Sequence, residues 1–64
     1  MKINKDKARS VMKEKKITYD RLGEMLDCTK QNAWYYLHRE NPKYETIEKV
    51  ANALGIDISE LIEW

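Results

Sequence analysis

Residues Ile17 to Leu37 read ITYDRLGEMLDCTKQNAWYYL, and their spacing decides the fold. Thr18 carries a hydroxyl that can accept a backbone N–H at the start of a helix. Leu22 and Leu26 follow four residues apart and share one helical face. Asp27-Cys28-Thr29 interrupts that pattern, and Thr29 can cap a second helix. Ala33, Tyr36 and Leu37 then recur at i, i+3 and i+4 as an inward stripe. The spacing predicts two short helices joined by a tight turn, over about residues 18–37. Lys30, Gln31, Asn32 and Tyr35 are left on or near the outward face of the second helix. Lys pairs with guanine edges or phosphate, and Gln and Asn pair bidentately with adenine. A short helix offering such groups from its first turn suits the major groove of duplex DNA.

The flanking sequence predicts three further helices. The first covers about Asn4 to Lys15, capped by Asn4, with Ala8, Val11 and Met12 on one face. Lys13, Lys15 and Lys16 crowd its last turn, where cations complement the helix dipole. His38 to Lys43 is expected to be a loop, because Pro42 disfavours helical geometry at Asn41. The fourth helix runs from Tyr44 or Glu45 to Leu54, with Ile47, Val50, Ala51 and Leu54 at i, i+3, i+4 and i+7. Gly55 then stands where a left-handed residue is wanted. Asp57-Ile58-Ser59-Glu60 resembles a capping box and opens a fifth helix through Leu61 and Ile62. No segment alternates with period two, so no strand is expected. The prediction is an all-α fold, a compact five-helix domain with a central helix-turn-helix, in one domain over residues 1–64.

Composition narrows the function classes. Sixty-four residues with 42% apolar content suffice for one modest core. No apolar run approaches the ~20 residues of a membrane helix. MKINKDKARS lacks the apolar centre of a signal peptide, so a cytoplasmic location is expected. One Cys and one His give no convincing zinc site and no internal disulfide. No cofactor is expected, and no enzyme: there is no nucleophile with a His at a recognisable spacing and no glycine-rich phosphate loop. The net charge of +1 is small, but it is segregated. Residues 1–44 hold eleven Lys or Arg against six Asp or Glu, and residues 45–64 hold one Lys against five acids. Mixed charge alone is explained by solvation. Its coincidence with the helical pair is the footprint of a phosphate-facing half.

The pattern resembles the phage-repressor and Cro-type helix-turn-helix family of bacteria and their viruses, over about residues 7–62. The resemblance is carried by Ile17-Thr18, Leu22, Gly23, Leu26, Thr29-Lys30-Gln31-Asn32, Asn41-Pro42, Glu45-Thr46-Ile47, and the tail ANALGIDISELI. It implies five helices, the third lying in the major groove, and a homodimer on a pseudo-palindromic site of double-stranded DNA. It also implies a sequence-specific transcriptional regulator, a repressor. Several positions depart from the family. Tyr19 replaces a usual Gln, Asp27 a frequent Gly, and Met12 and Leu37 stand where an Arg and a Glu often pair. An apolar contact between Met12 and Leu37 is the expected replacement.

For each residue singled out, a bland role stands beside the functional one. Lys30, Gln31 and Asn32 are either base-contacting groups or a solvated first turn, with Lys30 divided between guanine and phosphate. Tyr35 can touch a thymine methyl, a phosphate or only water. Phosphate contacts are expected of Thr18, Tyr19, Thr29, Arg39 and Lys43, and of backbone amides near Tyr44. Lys16 is a weaker candidate. Trp34 suits edge or core packing first, and DNA or an interface second. Tyr36 and Tyr44 suit the core. His38 is expected on the surface of the loop, and Cys28 as a half-buried inert thiol. Ile58, Ile62 and Trp64 form a small apolar surface that either closes the core or contributes to a dimer seam. The alternative reading is a protein-interaction module, such as an antitoxin with a protein partner, or a helix-turn-helix relic without specific DNA binding.

Overall fold

The computed structural model describes residues 1–63, and Trp64, with its expected dimer contact, lies outside them. The chain runs β1 (Lys2–Ile3), α1 (Lys5–Lys15), α2 (Tyr19–Met25), α3 (Lys30–His38), α4 (Tyr44–Leu54), α5 (Ile58–Leu61) and β2 (Ile62–Glu63). The all-α, five-helix architecture is therefore present among the described residues, with one addition. β1 pairs antiparallel with β2, Lys2 opposite Glu63 and Ile3 opposite Ile62. The Asn4 amide extends the closure by donating to Leu61 O at 2.7 Å. This corrects the expectation of no strand and ends α5 at Leu61, one residue early. Two-residue strands are too short to leave an alternation in the sequence.

Local chemistry sets the helix starts. Asn4, Thr18 and Thr29 accept the amides of Lys7, Arg21 and Asn32 at 3.1–3.2 Å. Asp57 caps α5 differently from a capping box. Its carboxylate takes both the Ser59 amide and hydroxyl, at 3.0 and 3.1 Å, while Glu60 bonds back through its own amide to Asp57 O. These bonds, the Ser59 amide first, hold the Asp57 carboxyl below its ordinary pKa.

Three helices end in the same way. Lys16, Asp27 and Gly55 each take positive φ, 58°, 57° and 70°. In each case the next amide reaches back five residues: Ile17 N to Met12 O at 2.8 Å, Cys28 N to Gly23 O at 2.8 Å, and Ile56 N to Ala51 O at 3.0 Å. This is the paired-bond Schellman ending, which satisfies otherwise orphaned carbonyls. Only Gly55 announces it by residue type. At Gly55 a side chain is doubly opposed, since an added Cβ would also lie 2.7 Å from Lys15 Nζ. That ammonium donates to Leu54 O at 2.6 Å, so Lys15 ties the end of α1 to the end of α4.

The core comprises Ile3, Ala8, Val11, Met12, Leu22, Ala33, Leu37, Ile47, Val50, Ala51, Leu54 and Leu61. Each fully buried Leu, Ile or Val is worth roughly 1.5–3 kcal/mol in area terms. Met12 and Leu37 lie in this one cluster, and no described buried residue is polar or charged. The positions where the family often places an ion pair are thus apolar here. Ile58 and Ile62 pack half-buried against the same core, so part of their apolar surface is already used. Tyr36 does likewise, but Tyr44 does not: it is 50% exposed, because the inward stripe of α4 starts three residues later at Ile47. Pro42 is buried in the α3–α4 connection.

Candidate nucleic-acid interface

The position of α3 depends on how closely it meets α2, and these two helices make the most extensive pairing in the molecule. Gly23 allows it. A Cβ there would lie 2.9 Å from Cys28 O and 3.0 Å from Thr29 C and O. The turn is drawn onto this spot by the Cys28 amide bonding Gly23 O. Ala33 and Leu37 anchor α3 from its inner side.

The outer side of α3 carries two rows of side chains at i, i+4 and i+8: Lys30, Trp34, His38, and Gln31, Tyr35, Arg39. Lys30, Gln31, Asn32 and Tyr35 are all exposed, as expected. Tyr35, 52% exposed, is central, and the Arg39 guanidinium carbon sits 5.7 Å from its ring centroid. That cation–π contact orients the half-buried Arg39 along the helix end.

Trp34 takes the edge rather than the core, and His38 departs from expectation. Trp34 is 50% exposed, not packed into the core, because Ala33 and Leu37 occupy the inward slots. His38 belongs to the last turn of α3, not to the loop. Its ring stacks on the indole, with centroids 4.0 Å apart and planes at 10°. Its Nδ1 lies 2.9 Å from Trp34 O, which requires that nitrogen to carry the proton.

The remaining candidates flank α3. Thr18 and Thr29 are exposed caps whose hydroxyl oxygens accept amides, leaving each O–H to donate outward. Tyr19 packs half-buried against the core. Lys43 and Tyr44 open α4, and Lys43 makes no side-chain cap bond to its first amides. An open groove brings Thr18, Tyr19 and Lys30 together with Arg9 and Lys13 of α1, over a floor of Met12 and Ile17. Asp20 is the acid in this groove. Arg9 and Lys13 were missed in the sequence, although their i, i+4 spacing on the polar side of α1 is a usable signal. Cys28 is half-buried, as expected. Among the described residues no helix is long and apolar enough to cross a membrane, and no three His, Cys, Asp or Glu side chains are placed to hold a metal ion.

Two short helices locked by a close turn, the second turning polar and basic groups outward, make this a helix-turn-helix domain. Residues 7–64 match the profile of the Cro/C1-type HTH DNA-binding domain, and the chain belongs to that family. No curated protein and no solved structure gives a match.

Proposed function

We propose that this protein is a sequence-specific regulator of transcription, a repressor, that reads double-stranded DNA as a homodimer. The observation that carries the proposal is the convergence of Lys30, Gln31, Asn32 and Tyr35 on the exposed side of α3, flanked by the starts of α2 and α4. Gln31 and Asn32 read base edges, Lys30 a guanine or a phosphate, and Tyr35 a base edge or thymine methyl. Thr18, Tyr19, Thr29, Arg39 and Lys43 hold phosphates, as do the first amides of α4 at Tyr44. Arg9 and Lys13 extend that backbone contact onto α1. The role is binding without catalysis, in the cytoplasm with the DNA.

Size supports two copies. The longest dimension is 27 Å, whereas successive major grooves on one DNA face are about 34 Å apart. One domain therefore spans one half-site, and two domains multiply their affinities through linkage. The half-exposed surfaces of Ile58 and Ile62, with Trp64, are the proposed seam. A bound dimer represses by excluding other proteins from the groove it fills.

Selection from random duplex DNA at moderate salt tests this. The expected product is a palindromic motif whose preference is lost in Gln31→Ala or Asn32→Ala. Recovery of no motif by the folded protein overturns the proposal. It would favour a protein-interaction module, a reading supported by the half-exposed Trp34, Tyr35 and Tyr44. Salt separates the two, since phosphate contacts predict a steep loss of affinity and an apolar protein interface predicts little.

A further inference from the structure

Beside the base-reading side chains lies a second, smaller groove, lined by Tyr19, Lys30, Gln31 and Trp34. We propose that this groove seats the C5-methyl group of a pyrimidine, making Trp34 and Tyr19 specificity-determining residues. The proposal rests on α3 reading the major groove, as argued above.

Three observations carry it. First, both aromatic walls are held in place before any ligand arrives. Tyr19 is packed against the core, and the His38 stack covers one side of the Trp34 indole. The hydrogen bond from His38 Nδ1 to Trp34 O fixes the stacking partner as well. A half-exposed Trp in solution would lose side-chain freedom on binding, and here much of that loss is already incurred. Second, the wall chemistry selects the occupant. The two aromatic rings offer an apolar surface that suits a methyl group, while Lys30 and Gln31 at the same groove face the polar base edge or phosphate beside it. Third, the groove lies between two kinds of contact. Gln31 is on the base-reading side, while Thr18 and Tyr19 are on the phosphate-holding side. In the major groove, the C5 position of a pyrimidine is the part of the base edge nearest its own backbone. A methyl group there, on thymine or on 5-methylcytosine, falls between those contacts.

The test uses the motif recovered by selection. Each thymine is replaced in turn by deoxyuridine, which removes only the methyl, and each cytosine by 5-methylcytosine, which adds one. The result expected is a change of about fourfold in affinity at one position per half-site, the worth of one buried methyl. A loss with deoxyuridine assigns the methyl to thymine, and a gain with 5-methylcytosine assigns it to a modified site. In Trp34→Ala, whose fold is checked by circular dichroism, that change disappears while the preference read by Gln31 and Asn32 persists. Methyl sensitivity that is absent, or that is equal in Trp34→Ala, overturns the groove assignment and leaves the reading by α3 standing. Failure to recover any motif overturns both.

Discussion

Gly23→Ala tests whether the α2–α3 turn is as close as described. The new methyl would lie 2.9 Å from Cys28 O and 3.0 Å from both Thr29 C and Thr29 O, where ordinary contact begins near 3.4 Å. All three opposing atoms belong to the backbone, so no rotamer change relieves them. The turn must open by about 0.5 Å, working against the 2.8 Å bond from Cys28 N to Gly23 O. Overpacking of this kind costs about 1–3 kcal/mol. Alanine returns ~1 kcal/mol through its higher helix propensity. The net loss expected is about 1 kcal/mol, a Tm lower by roughly 4–8 °C in a domain of this size. Thermal unfolding followed at 222 nm measures it, with urea unfolding as a check on the slope. DNA affinity, measured well below the Tm, should fall further than the unfolded fraction explains, because the turn that opens carries the start of α3. A Tm equal to or above that of the parent would refute the close approach, and with it the account of how α3 is positioned.

Four further outcomes are expected. Ile3→Ala removes a side chain that is 2% exposed and should cost about 2–5 kcal/mol, visible as a Tm loss larger than that of Gly23→Ala; a negligible loss would mean β1 does not close the core. Lys16→Gly relieves a non-glycine residue at φ 58° and should raise the Tm by a few degrees, a gain of ~0.5–1 kcal/mol after the greater freedom of glycine in the unfolded chain is deducted. Lys13→Gln should lower the slope of log affinity against log salt by about 1 without changing the preferred sequence; an unchanged slope would remove α1 from the phosphate contacts. The Asp57 carboxyl is held below its ordinary pKa chiefly by the Ser59 amide, so its cap is fully present above the unfolded value near 4 and is lost as pH falls through the lower folded value. Urea unfolding at descending pH should therefore show a shallower acid decline in Asp57→Asn than in the parent.

What was legible in the sequence was local. The caps at Asn4, Thr18, Thr29 and Asp57 depend on a side chain meeting an amide two or three residues away, and α4 depends on a stripe within eleven residues. Such signals are complete inside a short window. The features that escaped require partners distant in sequence, or a backbone state that the residue type does not advertise. The Lys15 ammonium meets Leu54 O across 39 positions, and Ile3 is buried by a strand at the opposite end of the chain. Lys16 and Asp27 take the left-handed conformation because the following Ile17 and Cys28 amides find carbonyls there, which outweighs the modest local penalty. At the candidate site the same division holds. The outward placement of Lys30, Gln31, Asn32 and Tyr35 follows from helical period alone. The Trp34–His38 stack and the Arg9–Lys13 groove do not, since each depends on how far α3 runs and where α1 lies against α3.

These escaped features bear on function because they stiffen the surface that would meet DNA. Gly23, the left-handed Asp27 and the Cys28 amide fix α3 against α2, and the Arg39–Tyr35 and His38–Trp34 contacts order the outward rows. A recognition helix gains discrimination when its side chains are placed before binding, because a wrong base then meets groups that cannot rearrange cheaply. In the proposed dimer, a net charge of only +1 would supply little unspecific attraction, and affinity would rest more on fit at each base pair and on the pairing of two copies.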